Sequence, residues 1–133
     1  KKGLALYNER NYDEAIQAFG RCVKFDPNFM DGHVQLGFVL LDKGEVYRAK
    51  KEFEYVLRNN PRYPGARIGI GVTYVREGKV DEGIELLKEA ITLNPNPVRG
   101  YRELGKAYEA SGDLKNALHY YEWAMRKLVQ GRR

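Results

Sequence analysis

One spacing governs this chain. Gly3, Gly37, Gly71 and Gly105 stand 34 residues apart, and further series keep the same step. Ala15, Ala49, Gly83 and Ala117 form one, Pro27, Pro61 and Pro95 another. Phe19, Phe53, Leu87 and Tyr121 form a series of large side chains, and Arg10, Gly44, Gly78 and Gly112 a fifth. A fixed period of this length is the mark of a stacked repeat array, in which each unit buries its apolar face only against its neighbours. Such a chain offers a long surface, and its chemistry need not converge on one pocket.

Each period reads as two helices. In residues 30–63, Val34, Leu36, Phe38, Val39, Leu40 and Leu41 make an apolar stretch that stops at Lys43-Gly44, where glycine can take the left-handed conformation that ends a helix. Val46, Ala49, Phe53, Val56 and Leu57 then fall at spacings of three and four, as one buried helical face requires. Asn59-Asn60-Pro61 closes the stretch, because proline cannot continue the ladder. The next unit repeats the pattern, with a break at Gly78 and a stop at Asn94-Pro95. No segment alternates with the period of two that a half-buried strand shows, so the expectation is all helix.

Gly37, Gly71 and Gly105 fall in mid-helix, where glycine costs about 1 kcal/mol relative to alanine. A cost repeated at one register position points to a steric need: the second helix of each pair crosses there. Ala15, Ala49, Gly83 and Ala117 offer the matching small surface. Cys22, Val56, Ala90 and Ala124 form another series of small apolar residues, which predicts a buried, inert Cys22.

This pattern resembles the tetratricopeptide repeat, a 34-residue helix–turn–helix unit with a leucine–glycine pair, a tyrosine, alanines, an aromatic and a closing proline. The pairs here are Leu36-Gly37, Ile70-Gly71 and Leu104-Gly105, and the tyrosine slot holds Leu6, Leu40, Tyr74 and Tyr108. His33, Arg67 and Tyr101 replace the family's early tryptophan, and Val129 stands where the fourth proline is expected. The resemblance implies an all-α, right-handed α-solenoid of stacked repeats forming a single domain over 1–133. Its units are 1–29 with a truncated first helix, 30–63, 64–97 and 98–131. That register reads as an excised piece of a longer array.

Composition fits a non-catalytic scaffold. There is no apolar run long enough for a membrane span and no leader pattern, and a cytoplasmic location is expected. The net charge of +5 comes from the ends, at Lys1, Lys2, Arg126, Lys127, Arg132 and Arg133, so no basic stripe marks a nucleic-acid binder. Outside tyrosine, the hydroxyl and thiol nucleophiles are Cys22, Thr73, Thr92 and Ser111, and His33 and His119 are three repeats apart. Ser111-Gly112-Asp113 reads as a turn with cap chemistry, and Asp13-Glu14 and Asp81-Glu82 as acids at helix starts. Neither an enzyme nor a metal or cofactor site is expected.

The resemblance also implies that the first helices line a concave groove and bind peptides through positions 2, 5, 6, 9, 12 and 13 of each unit. Carried over, these give Leu4, Tyr7 and Asn8, then Val34, Gln35, Phe38 and Leu41 with Asp31 and Asp42. The third unit gives Gly65, Ile68, Gly69, Val72, Val75 and Arg76, and the fourth Arg99, Arg102 and Lys106 with Glu103, Glu109 and Ala110. Gly65 and Gly69 lie outside the repeat series, which predicts a shallow hollow beside Phe38 and Val72 for a bulky side chain. The family's carboxylate-gripping positions match here only at Arg99, so docking of chaperone tails is not expected.

The expected function is therefore a protein–protein interaction adaptor that binds a peptide or helix of a partner protein. The alternative is a self-assembling scaffold that homo-oligomerises through Tyr55, Leu86, Tyr120 and Trp123 on the convex face or the last helix.

Overall fold

The computed structural model describes residues 2–94 and 97–131, with side chains over 11–94 and 97–130. Among them every regular element is helical: α1 (Lys2–Phe25), α2 (Met30–Lys43), α3 (Val46–Asn59), α4 (Pro64–Arg76), α5 (Val80–Thr92), α6 (Val98–Ser111) and α7 (Leu114–Gly131). The fold is an all-α solenoid of helical repeats. By contact it divides into two compact units, Lys1–Gly69 and Ile70–Arg133. In the first, α1 packs on α2 and α2 on α3; in the second, α5 packs on α6 and α6 on α7.

Three breaks between paired helices share one construction. Gly44, Gly78 and Gly112 have φ of 95°, 91° and 87°. At each, the glycine N–H and the next N–H close back onto the preceding turn: Gly44 to Leu41 (2.9 Å) with Glu45 to Leu40 (2.8 Å), and Gly112 to Glu109 (3.1 Å) with Asp113 to Tyr108 (2.9 Å). This double closure satisfies the last carbonyls of the helix and requires a residue that tolerates positive φ.

The first unit departs from the expected hairpin. Its register position for that glycine holds Arg10, a good helix former that resists the left-handed region, and α1 runs through as one 24-residue helix. Asp13 and Glu14 therefore lie in mid-helix, not at a helix start; Asp13 pairs instead with Lys43, raising the lysine pKa above its ordinary value chiefly through that hydrogen bond. Cys22 is exposed, contrary to the expected burial. Its register partners Val56 and Ala90 are 0% exposed in hairpins whose helices fold back on each other, a cover that the straight α1 does not provide.

The predicted crossing points are present. A Cβ added to Gly37 would lie 2.6 Å from the Phe53 ring, one on Gly71 2.8 Å from Leu87, and one on Gly105 2.7 Å from Tyr121. Each mid-helix glycine thus receives the large side chain of its own hairpin partner. A Cβ added to Gly83 would lie 2.5 Å from the Val75 side chain and 2.8 Å from the Gly71 carbonyl, so two glycines let α4 and α5 approach closely where alanine stands in the other units.

Candidate functional site

The first helices carry the implied groove residues, and burial sorts them sharply. In the first unit Val34, Phe38, Leu41 and Ile68 are 1–6% exposed, and Gly69 is buried with them. Gln35 and Asp42 are exposed; Asp31 is exposed and accepts a hydrogen bond from the Tyr63 hydroxyl. Burial, with that bond second, pushes the Tyr63 pKa up to about 12. In the second unit Val72 is buried, Val75 and Arg99 are half-buried, and Arg76, Arg102 and Lys106 are exposed. Leu4, Tyr7 and Asn8 lie outside the residues whose side chains are described.

The expected hollow at Gly65 and Gly69 is not there. A Cβ on Gly69 would fall 2.3 Å from the Phe53 ring, and one on Gly65 would fall 3.1 Å from Val34. Both glycines are packing positions: the Phe53 ring, fully buried, lies between Gly37 and Gly69 and meets Phe38 edge-on at 5.1 Å. Phe38 is therefore core, and a carboxylate there would be buried without a partner, at a cost to folding itself. The implied groove residues that are exposed are polar: Asp31, Gln35 and Asp42 in one unit, Arg76, Arg102 and Lys106 in the other.

A second set of contacts gathers at the register position of the family's early tryptophan. His33 Nε2 donates to the Pro27 carbonyl at 2.9 Å, and its Nδ1 lies 2.8 Å from Glu52 Oε1. The Tyr55 hydroxyl donates to the same carbonyl at 3.1 Å, with its ring 4.4 Å from the imidazole. Arg67, one period on, repeats the device, with Nε donating to the Pro61 carbonyl at 2.8 Å. Tyr101, in the last hairpin, meets Trp123 edge-on at 5.9 Å and Tyr120 at 6.1 Å. Tyr120 in turn stacks on Tyr108 at 5.5 Å.

Of the residues assigned to an assembly surface, Tyr55, Leu86 and Tyr120 are half-buried, and Trp123 is 41% exposed. A more open apolar stripe runs along the same α7 through Leu114, Leu118, Met125, Leu128 and Val129. Sequence reasoning missed this stripe, although its spacing of four, seven and three to four is that of one helical face. It also missed an open cavity of about 290 Å³ lined by Tyr101, Trp123, Arg126, Lys127 and Gln130. No helix among the described residues is long and apolar enough to cross a membrane.

Comparison with known proteins gives this geometry a family. A model described as "TPR repeat" matches residues 71–112, and one described as "Tetratricopeptide repeat" matches residues 1–29. The chain is 28% identical over 116 residues to anaphase-promoting complex subunit 3 of Schizosaccharomyces pombe, covering 87% of this chain and 17% of that protein. It is 23% identical over 129 residues to the photosystem I assembly protein Ycf3 of Prochlorococcus marinus, covering 84% of this chain and 73% of the relative. Among solved structures, MamA from Desulfovibrio magneticus superposes with a TM-score of 0.65 at 26% identity, over 96% of this chain and 72% of that one. A thermophilic TPR protein of Thermus thermophilus shares the fold with a TM-score of 0.75 at 24% identity, over 93% and 70%. With its glycine crossings, its left-handed helix ends and these likenesses, the chain belongs to the tetratricopeptide repeat family.

Proposed function

We propose that this chain is a non-enzymatic adaptor that binds a peptide or helix of a partner protein along its first helices. Repeats of this family generally mediate protein–protein contacts, and two relatives are named as a complex subunit and as an assembly protein. The observation that carries the reading is the exposure of polar side chains over a closed apolar core: Gln35 and Asp42 in one unit, Arg102 and Lys106 in the other. Recognition then rests on hydrogen bonds and charge, without an apolar hollow.

The test is a random-peptide display selection on the intact chain, followed by affinity measurement on variants. Gln35→Ala with Asp42→Ala, or Arg102→Ala with Lys106→Ala, should each weaken selected ligands by about three- to tenfold, the loss of one or two surface hydrogen bonds. Lys51→Ala, on the exposed face of α3, should change nothing. Ligands indifferent to both double variants would remove the first helices from consideration.

The α7 stripe favours a second reading, self-assembly. Leu118 is 60% exposed, whereas Ile84, one period earlier and covered by α6, is 6% exposed. An uncovered surface of this kind marks an interface. Light scattering over a concentration series decides it: Leu118→Glu with Met125→Glu should disperse an oligomer, and a strict monomer would end this reading.

A further inference from the structure

We infer that the slot between Tyr101 and the last turns of α7 is a binding site for a short acidic segment of a partner protein, entered by an aromatic or large apolar side chain. It is independent of the reading above, since none of its residues belongs to the first-helix set proposed there.

Pro61 and Pro95 close their units, and α3 and α5 end at Asn59 and Thr92. The same register position in the last unit is Val129, which keeps its N–H and lets α7 continue to Gly131. The added turn brings Gln130 to the lining of an open cavity of about 290 Å³, which Tyr101, near the start of α6, shares with Trp123, Arg126 and Lys127. Tyr101 and Trp123 form its aromatic wall, their rings 5.9 Å apart and edge to face, and Trp123 is 41% exposed. That wall suits an aromatic or large apolar side chain.

Charge identifies the rest of the ligand. Arg126 and Lys127 line the slot beside Gln130. Glu122, the acid nearest in sequence, lies 3.9 Å from His119. A ligand with carboxylates flanking its apolar side chain meets two cations there, and a basic ligand is repelled. Gln130 can both donate to and accept from a peptide backbone.

The chain has one tryptophan, so emission excited selectively at tryptophan, beyond the absorption of the ten tyrosines, reports on Trp123. The probe is the blocked hexapeptide Asp-Glu-Phe-Glu-Asp-Gly, with one control in which alanine replaces phenylalanine and another in which lysines replace the acids. The acidic aromatic peptide should give a saturable change in Trp123 emission that weakens with salt. Arg126→Ala with Lys127→Ala should weaken it about tenfold, as loss of charge-assisted bonds implies. Val129→Pro, which restores the residue the other units carry, should abolish it while leaving most of the helical circular dichroism. Equal response to the lysine or alanine peptide, or full response in the Arg126/Lys127 variant, would overturn the assignment. So would a Trp123 signal that moves with protein concentration alone, which would assign the slot to a second copy of the chain.

Discussion

The hairpins α2–α3 and α6–α7 are built in one register and differ in what they do with it. Both join at a positive-φ glycine, and both set a mid-helix glycine against a large ring. In α2–α3 that ring is Phe53, 0% exposed and held between Gly37, Gly69 and Phe38. In α6–α7 it is Tyr121, half-buried, with its hydroxyl donating to Glu109 at 2.8 Å. At the early-tryptophan position the first hairpin has a polar lock of His33, Glu52 and Tyr55 on the Pro27 carbonyl, and the second an aromatic set of Tyr101, Tyr120 and Trp123. The repeat specifies where helices cross; a few substitutions at fixed positions decide whether the remaining surface is closed or open.

Truncating the two rings tests that contrast most severely. Phe53→Ala should cost about 4 kcal/mol, because a fully buried ring surrounded by close neighbours leaves a cavity that cannot collapse. Tyr121→Ala should cost about 2 kcal/mol, since part of its surface already meets water. Denaturant unfolding with matched slopes measures both, and equal losses would show that the last hairpin is as tightly closed as the first.

That difference was only partly legible in the sequence. The period, the two helices per unit, the glycine crossings and the helix-ending glycines all follow from residue types with one conformational use each. Arg10 could have been read the same way: a non-glycine at a position needing positive φ predicts the uninterrupted α1, and with it the exposure of Cys22. Gly69 could not. Its partner Phe53 belongs to the previous 34-residue repeat, and a register drawn within one hairpin carries no information about which neighbour's ring arrives. The groove positions suffered the same limit. They name a helical face without its depth, so Phe38 and Ile68 were grouped with Gln35 although the structure buries the first two. The slot at Tyr101 was half legible: Val129 in place of proline marked an α7 that runs on past the register ends of α3 and α5, but not which side chains line the space beside it.

A finer probe of the same contrast adds one methyl group. Cβ atoms on Gly37 and Gly105 meet their rings at nearly the same distance, 2.6 and 2.7 Å. Overpacking costs about 1–3 kcal/mol where neighbours cannot move, and alanine returns about 1 kcal/mol of helix propensity. Phe53 is hemmed in by Gly69 and Phe38, so Gly37→Ala should lower stability by about 1–2 kcal/mol. Tyr121 can swing toward solvent, so Gly105→Ala should be within about 0.5 kcal/mol of neutral. Equal losses would mean that Tyr121 is pinned by its bond to Glu109 as firmly as Phe53 is by carbon.

At neutral pH the smallest effect separates nothing, and for that reason it measures what the hairpins share. Tyr63 in the first unit and Tyr121 in the second each donate to a carboxylate, Asp31 and Glu109. Burial, then that bond, pushes both phenols up to about 12 from an ordinary 10.0. A phenol whose folded pKa exceeds its unfolded one resists ionisation while the chain is folded. Its contribution to stability is whole below pH 10 and is lost as pH rises through about 12. Absorbance at the phenolate band should therefore show Tyr63 and Tyr121 among the late-ionising tyrosines, with Tyr63→Phe and Tyr121→Phe each removing one late phase and flattening the stability loss between those pH values. If only Tyr63→Phe removes a late phase, the last hairpin opens at Tyr121 before its phenol ionises, and the difference between the hairpins extends from packing to local stability.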